Sequence, residues 1–173
     1  MRYLIKFSYD GTKFHGFQRQ NDVKNVQGTL ERVLSDVIDN EIVIKGCGRT
    51  DAGVHANLQC AHFDTDKKIT KEDINIINRL LNDEIVIKKW QIVKDDFHAR
   101  HDVKWKKYVY KVNNGTYDKL KEGYYYQIKY HLNMSEMKRT IKLFKGTHDF
   151  RNFVSGPRLD YTTTIYKTNI KKK

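Results

Sequence analysis

Within Gly46-Cys47-Gly48-Arg49-Thr50-Asp51-Ala52-Gly53, one carboxylate stands in a stretch with three glycines in eight residues. Glycine imposes no side-chain bulk, so backbone and carboxylate can both come close to a ligand. Arg49, two residues before Asp51, can hold a phosphate or keep the carboxylate ionised. A carboxylate placed in this way serves as a nucleophile or as a general base. The competing reading is an ordinary turn, because Asp and Gly are common turn residues. Other chemistries fit worse. Gly46-x-Gly48 has Asp51 where a dinucleotide fingerprint needs its third glycine. Cys47, His55, Cys60 and His62 have separations of eight, five and two, which match no usual zinc pairing. Cys60 and His62 share one strand face and read as packing.

Such a loop must be held by regular elements, and hydrophobic periodicity supplies candidates. Residues 2–9 read as a strand with Tyr3, Ile5, Phe7 and Tyr9 on one face, ended by an Asp10-Gly11 turn. Val26, Leu30, Val33, Leu34 and Val37 mark a helix capped by Asn25, and residues 41–45 read as a short strand leading into the glycine loop. A strand at 59–63, a helix capped by Thr70 with Ile74, Ile77 and Leu81 inward, and a strand at 84–93 follow. The order predicts an α+β layer, with helices on one face of a mixed, mostly antiparallel sheet. Beyond residue 102 the pattern begins again. Strands are expected at 105–112 and 123–130, a helix after Asn133 with Met137, Ile141 and Phe144 on one face, and an extended finish at 159–170. The chain therefore reads as two tightly joined halves, 1–102 and 103–173, the second incomplete.

The formal net charge of +12 favours anionic partners, of which nucleic acid is the commonest. Rings interleave with lysines in Trp105-Lys106-Lys107-Tyr108-Val109-Tyr110-Lys111 and in Tyr124-Tyr125-Tyr126-Gln127-Ile128-Lys129-Tyr130. Cations neutralise phosphates while rings stack on exposed bases, a combination suited to looped RNA. Amphipathic strands with rings inward account for the same pattern, and Tyr110 in particular reads as core-facing. Lys171-Lys172-Lys173 reads as a solvated tail. Hydrophobic residues make up 39% of the 173, enough for a core, and the only proline is Pro157, so no flexible tether is indicated. Two cysteines suit a reducing compartment. The start of the chain alternates rather than running apolar, and no stretch is long enough to cross a bilayer. A cytoplasmic protein with no membrane association is expected.

Gly48-Arg49-Thr50-Asp51-Ala52-Gly53-Val54-His55-Ala56 resembles the signature of the TruA family of tRNA pseudouridine synthases. The likeness continues in Tyr9-Asp10-Gly11, Gly16-Phe17-Gln18-Arg19-Gln20, Val26-Gln27-Gly28-x-Leu30-Glu31, Asp96-Phe97-His98-Ala99-Arg100, Lys107-Tyr108-Val109-Tyr110 and Gly146-Thr147-His148-Asp149-Phe150, in that order.

The resemblance implies a pseudouridine synthase-like fold, with no metal and no other cofactor. It implies isomerisation of uridine to pseudouridine in the anticodon stem-loop of tRNA, at nucleotides 38, 39 and 40. By the same resemblance Asp51 is the nucleophile, Tyr108 stacks on the flipped uracil, and Arg49 braces the RNA arm. Arg19, Lys104, Lys106 and Lys107 are expected to position phosphates without reading sequence. Members of the family act as homodimers. The family continues past the last residues here with more sheet, a helix and an arginine that lies against the catalytic aspartate, and nothing after Ile165-Tyr166 matches that arginine. An inactive RNA-binding remnant of the family is therefore the alternative expectation.

Overall fold

Apolar side chains at every second position make β1 (Arg2–Tyr9) a strand with one buried face: Tyr3, Ile5, Phe7 and Tyr9 all point into the core. The structure, a computed structural model, describes residues 1–172 and divides into two units, Met1–Val109 and Tyr110–Lys173. Lys173, the end of the expected basic tail, lies outside the described residues.

In the first unit β1 leads to α1 (Val26–Ile38), which begins at Asn25, whose side chain accepts from the Gly28 amide at 2.8 Å. Then come β2 (Lys45–Gly46), β3 (Ala56–Asp64), α2 (Lys71–Leu80) and β4 (Ile85–Val93). Thr70 and Asp73 close a reciprocal capping box at the start of α2. The sheet order is β2-β3-β1-β4, and every pairing is antiparallel. Tyr3 lies opposite Phe63, Ile5 opposite Ala61 and Phe7 opposite Ile87, which puts these side chains on one face. Leu30 and Leu34 of α1 and Ile74 and Ile77 of α2 pack with them in a single cluster. Each such side chain contributes about 1.5–3 kcal/mol by leaving water. Helices on one face of an antiparallel sheet are what the periodicity predicts.

The other face is partly roofed by the segment after β4. The Ala99 amide donates to His62 Nδ1 at 3.1 Å, and Arg2 pairs with Asp64 at 2.8 Å while donating to the Phe97 carbonyl at 2.9 Å.

Residues 41–45 depart from expectation, since only Lys45 and Gly46 join a ladder. The reason is competition for donors. The Ile42 amide donates to Ser35 Oγ at 2.9 Å and the Ile44 amide to Glu31 Oε1 at 3.0 Å, so side chains of α1 take the groups a strand would use.

In the second unit β5 (Val112–Asn114) pairs in parallel with β6 (Tyr126–Ile128). The short helix α3 (Met134–Thr140) starts at Asn133, whose side chain accepts from the amides of Ser135 and Glu136 at 3.1 Å. β7 (Gly146–Asp149) and β8 (Thr162–Ile165) form an antiparallel pair. The strand expected at 105–112 is replaced by ladder-free chain up to Val112. Tyr110, expected to face the core, is 90% exposed. Alternation marks which faces a strand would have, but a strand also needs a partner, and residues 103–110 join no ladder.

Candidate active site

The glycine loop is positioned by the first strand and the segment that follows it. β2 leaves the ladder at Gly46, where a Cβ would lie 2.5 Å from the Phe17 ring, so only glycine lets that ring close over the exit. Phe17 in turn donates its amide to the Thr50 carbonyl at 3.0 Å, and the Tyr9 hydroxyl meets Thr50 Oγ1 at 2.8 Å. Burial raises the Tyr9 pKa, which keeps this partner neutral. The Val54 amide donates to the Asp51 carbonyl at 3.2 Å, closing a tight turn with Gly53 at φ +78. Beneath the turn, Gly11 is so close that a Cβ on it would sit 2.2 Å from the Val54 carbonyl oxygen. His55 completes the brace: its Nδ1 lies 3.1 Å from Asp10 Oδ1 and 3.3 Å from the Gly11 amide.

On top of this rigid base the functional candidates are open to solvent. Asp51 and Arg49 are exposed. Among the described residues the Asp51 carboxylate has neither a side-chain hydrogen bond nor an ion pair. Tyr108 is 79% exposed, and Lys104 and Lys107 are exposed as well. Two of the residues expected to contact phosphates also have protein partners. Arg19 Nη1 lies 3.2 Å from Glu31 Oε2, a carboxylate only 6% exposed, and so neutralises a buried charge. Lys106 Nζ donates to the Cys47 carbonyl at 2.7 Å.

The thiols and imidazoles beside the loop are engaged in packing. The Cys47 thiol donates to Gln59 Oε1 at 2.8 Å, and contact with Cys47 together with burial pushes the Cys60 thiol up. No group of three or more His, Cys, Asp or Glu among the described residues is arranged to hold a metal ion. The sequence places Tyr9 on a strand face and Gly11 in a turn and sets His55 among poorly spaced zinc candidates, but gives none of them, nor Thr50, a part in bracing the loop. Their signal was the recurrence of small and polar residues in two separate segments that prove to be in contact.

A hollow of about 560 Å³ lies elsewhere, lined by Leu4, Gln91, Ile92, Phe97 and Asp102 among others, and Asp51 is not part of it. The Asp51 carboxylate therefore stands exposed on its braced loop and is not enclosed by this hollow.

Residues 5–102 match the family model described as tRNA pseudouridine synthase, and the chain belongs to that family. Its relatives include proteins named tRNA pseudouridine synthase A. The one from Ruminiclostridium cellulolyticum is 40% identical over 151 residues, covering 86% of this chain and 62% of the relative. The one from Thermosipho melanesiensis is 38% identical over 178 aligned residues, covering 99% and 73%. The one from Limosilactobacillus reuteri is 40% identical, covering 89% and 62%. The chain thus spans between 62% and 73% of the length of these relatives.

Proposed function

We propose that this chain isomerises uridine to pseudouridine in the anticodon arm of tRNA, with Asp51 as the nucleophile. The observation that carries the proposal is the Asp51 carboxylate itself, exposed and uncommitted on a loop braced by Tyr9, Gly11 and His55 in a member of this family. The reaction breaks the bond between uracil N1 and ribose C1′, turns the base, and joins C1′ to C5. The C5 proton is lost to solvent and N1 gains one, so the balance closes without a redox partner. A carboxylate suits this, because it can attack the sugar carbon or accept a proton while the sugar carries positive character. Flipping the uridine out of its stem costs about a few kcal/mol. Stacking on Tyr108 offsets that by ~1–3 kcal/mol. Arg49 braces the arm, Lys104 and Lys107 neutralise phosphates, and the net charge of +12 draws in the polyanion. The working form is a cytoplasmic homodimer; a monomeric mass by light scattering at high concentration would argue against it. No described helix is long and apolar enough to cross a membrane.

The test is tritium release from tRNA carrying 5-tritiated uridine. Wild-type chain is expected to release tritium, Asp51→Ala to release none while still binding tRNA, and Tyr108→Phe to outperform Tyr108→Ala. Equal release by wild type and Asp51→Ala would sink the proposal. The second reading, a tRNA-binding protein without turnover, is favoured by the lack of any ion partner for Asp51 among the described residues. Its signature is salt-dependent tRNA binding with no tritium release from the wild type.

A further inference from the structure

The β2–β3 ladder is left half closed at the point where the chain departs for the Asp51 loop. Lys45 lies opposite His62 and Gly46 opposite Ala61, and the next step brings Cys47 to Cys60, with the Cys47 amide donating to the Cys60 carbonyl at 2.8 Å. A hydrogen-bonded antiparallel pair ordinarily exchanges two such bonds. Here the return bond is missing, because the Cys60 amide is turned to Gln59 Oε1 at 3.3 Å. The Cys47 carbonyl is instead taken by Lys106 Nζ at 2.7 Å, a charge-assisted bond from a residue 59 positions away. The room for that ammonium comes from Gly48, where a Cβ would lie 3.2 Å from Lys106 Nζ.

We infer that Lys106 is a positioning residue: it closes the open end of the β2–β3 ladder and so fixes the root from which Gly48, Arg49, Thr50 and Asp51 are presented. Both lysines are exposed, Lys106 and Lys107 beside it, but the Lys106 ammonium is committed to the Cys47 carbonyl. The consequence for catalysis rests on the proposed role of Asp51; the clamp itself does not.

The experiment separates the two. Hydrogen–deuterium exchange is followed on the full chain without RNA, for wild type, Lys106→Met, Lys106→Arg and Gly48→Ala. Lys106→Met is expected to speed exchange in residues 47–54 by about tenfold, the scale of a lost charge-assisted hydrogen bond, and to leave α2 unchanged. Lys106→Arg keeps a donor and should preserve most of the protection. Gly48→Ala crowds the ammonium and should loosen the same residues, with no further effect when added to Lys106→Met. Wild-type exchange in Lys106→Met overturns the inference. With tRNA, Lys106→Met should lower the rate of tritium release at saturation and leave the dissociation constant and its salt dependence unchanged. Weaker binding with a salt slope reduced by about one and normal turnover would instead make Lys106 a phosphate contact. If the wild type releases no tritium yet Lys106→Met still loosens the loop, the clamp stands and the isomerase proposal alone fails.

Discussion

His62 lies under the turn at residues 97–99 with a proton it cannot hydrogen-bond. Its Nδ1 accepts from the Ala99 amide at 3.1 Å, so the neutral ring carries its proton on Nε2, which is buried without a partner. Burial, then the neighbouring His98, Arg2 and Lys45, lower its pKa to about 4, against a smaller opposing pull from Asp64. Protonation is therefore easier in the unfolded chain than in the folded one. The stabilising effect of the neutral ring is complete above the unfolded value of about 6.5 and is lost as pH falls toward 4. Urea midpoints should drop between pH 6.5 and 4 by the equivalent of about 2 kcal/mol, and His62→Gln should flatten that part of the profile. An unchanged slope in His62→Gln would assign the acid sensitivity to other groups. That His62 packs within the fold could be read from its shared strand face with Cys60. The unpartnered Nε2 could not, because it depends on a turn 37 residues away.

Between elements, the Asp10-Gly11 turn packs directly against the Asp51 loop. A Cβ at Gly11 would meet three backbone atoms, the Val54 carbonyl oxygen at 2.2 Å and carbon at 2.3 Å and the Gly53 carbonyl carbon at 2.8 Å, and none can rotate aside. Gly11→Ala should cost about 1–3 kcal/mol through forced separation of the two segments. Because the displaced segment carries Asp51, tritium release should fall by more than tRNA affinity does. Gly115→Ala, where a Cβ meets nothing within 4 Å, is the control, and equal losses in both variants would remove the Gly11 contact as the cause. The elements themselves were legible where local chemistry decides them. Asn25 and Thr70 cap their helices as their side chains allow, and the alternation of Tyr3, Ile5, Phe7 and Tyr9 selects the core face of β1. Legibility ended where a distant group decides. Glu31 and Ser35 capture the amides that residues 41–45 would give to a strand, and no local pattern announces this. Asp51 was readable as a candidate from its glycines and arginine, whereas the brace beneath it required the register between two motifs.

Across the whole chain, burial is divided unequally between the two units. Every fully buried side chain lies between Tyr3 and Ala99, and none of the described residues from Tyr110 onward is fully buried. The first unit has a four-stranded sheet under two helices, whereas the second has two separate two-stranded sheets whose strands are three or four residues long. Paired strands of that length are marginal in water without a packed face. The rings of Phe144, Phe150 and Phe153 gather at centroid distances of 5.6 to 6.2 Å, yet Phe153 is 71% exposed, so the cluster excludes little water. Local opening should therefore cost much less in the second unit than in the first. Hydrogen–deuterium exchange of the full chain at neutral pH should show strongly protected amides in β1, β3, α1 and α2. Amides of β5 through β8 should exchange at least about a hundredfold faster, the ratio for a difference near 3 kcal/mol in opening. Equal protection of β7 and β1 would mean that the second unit opens only with the first, and that its stability comes from coupling rather than from its own burial.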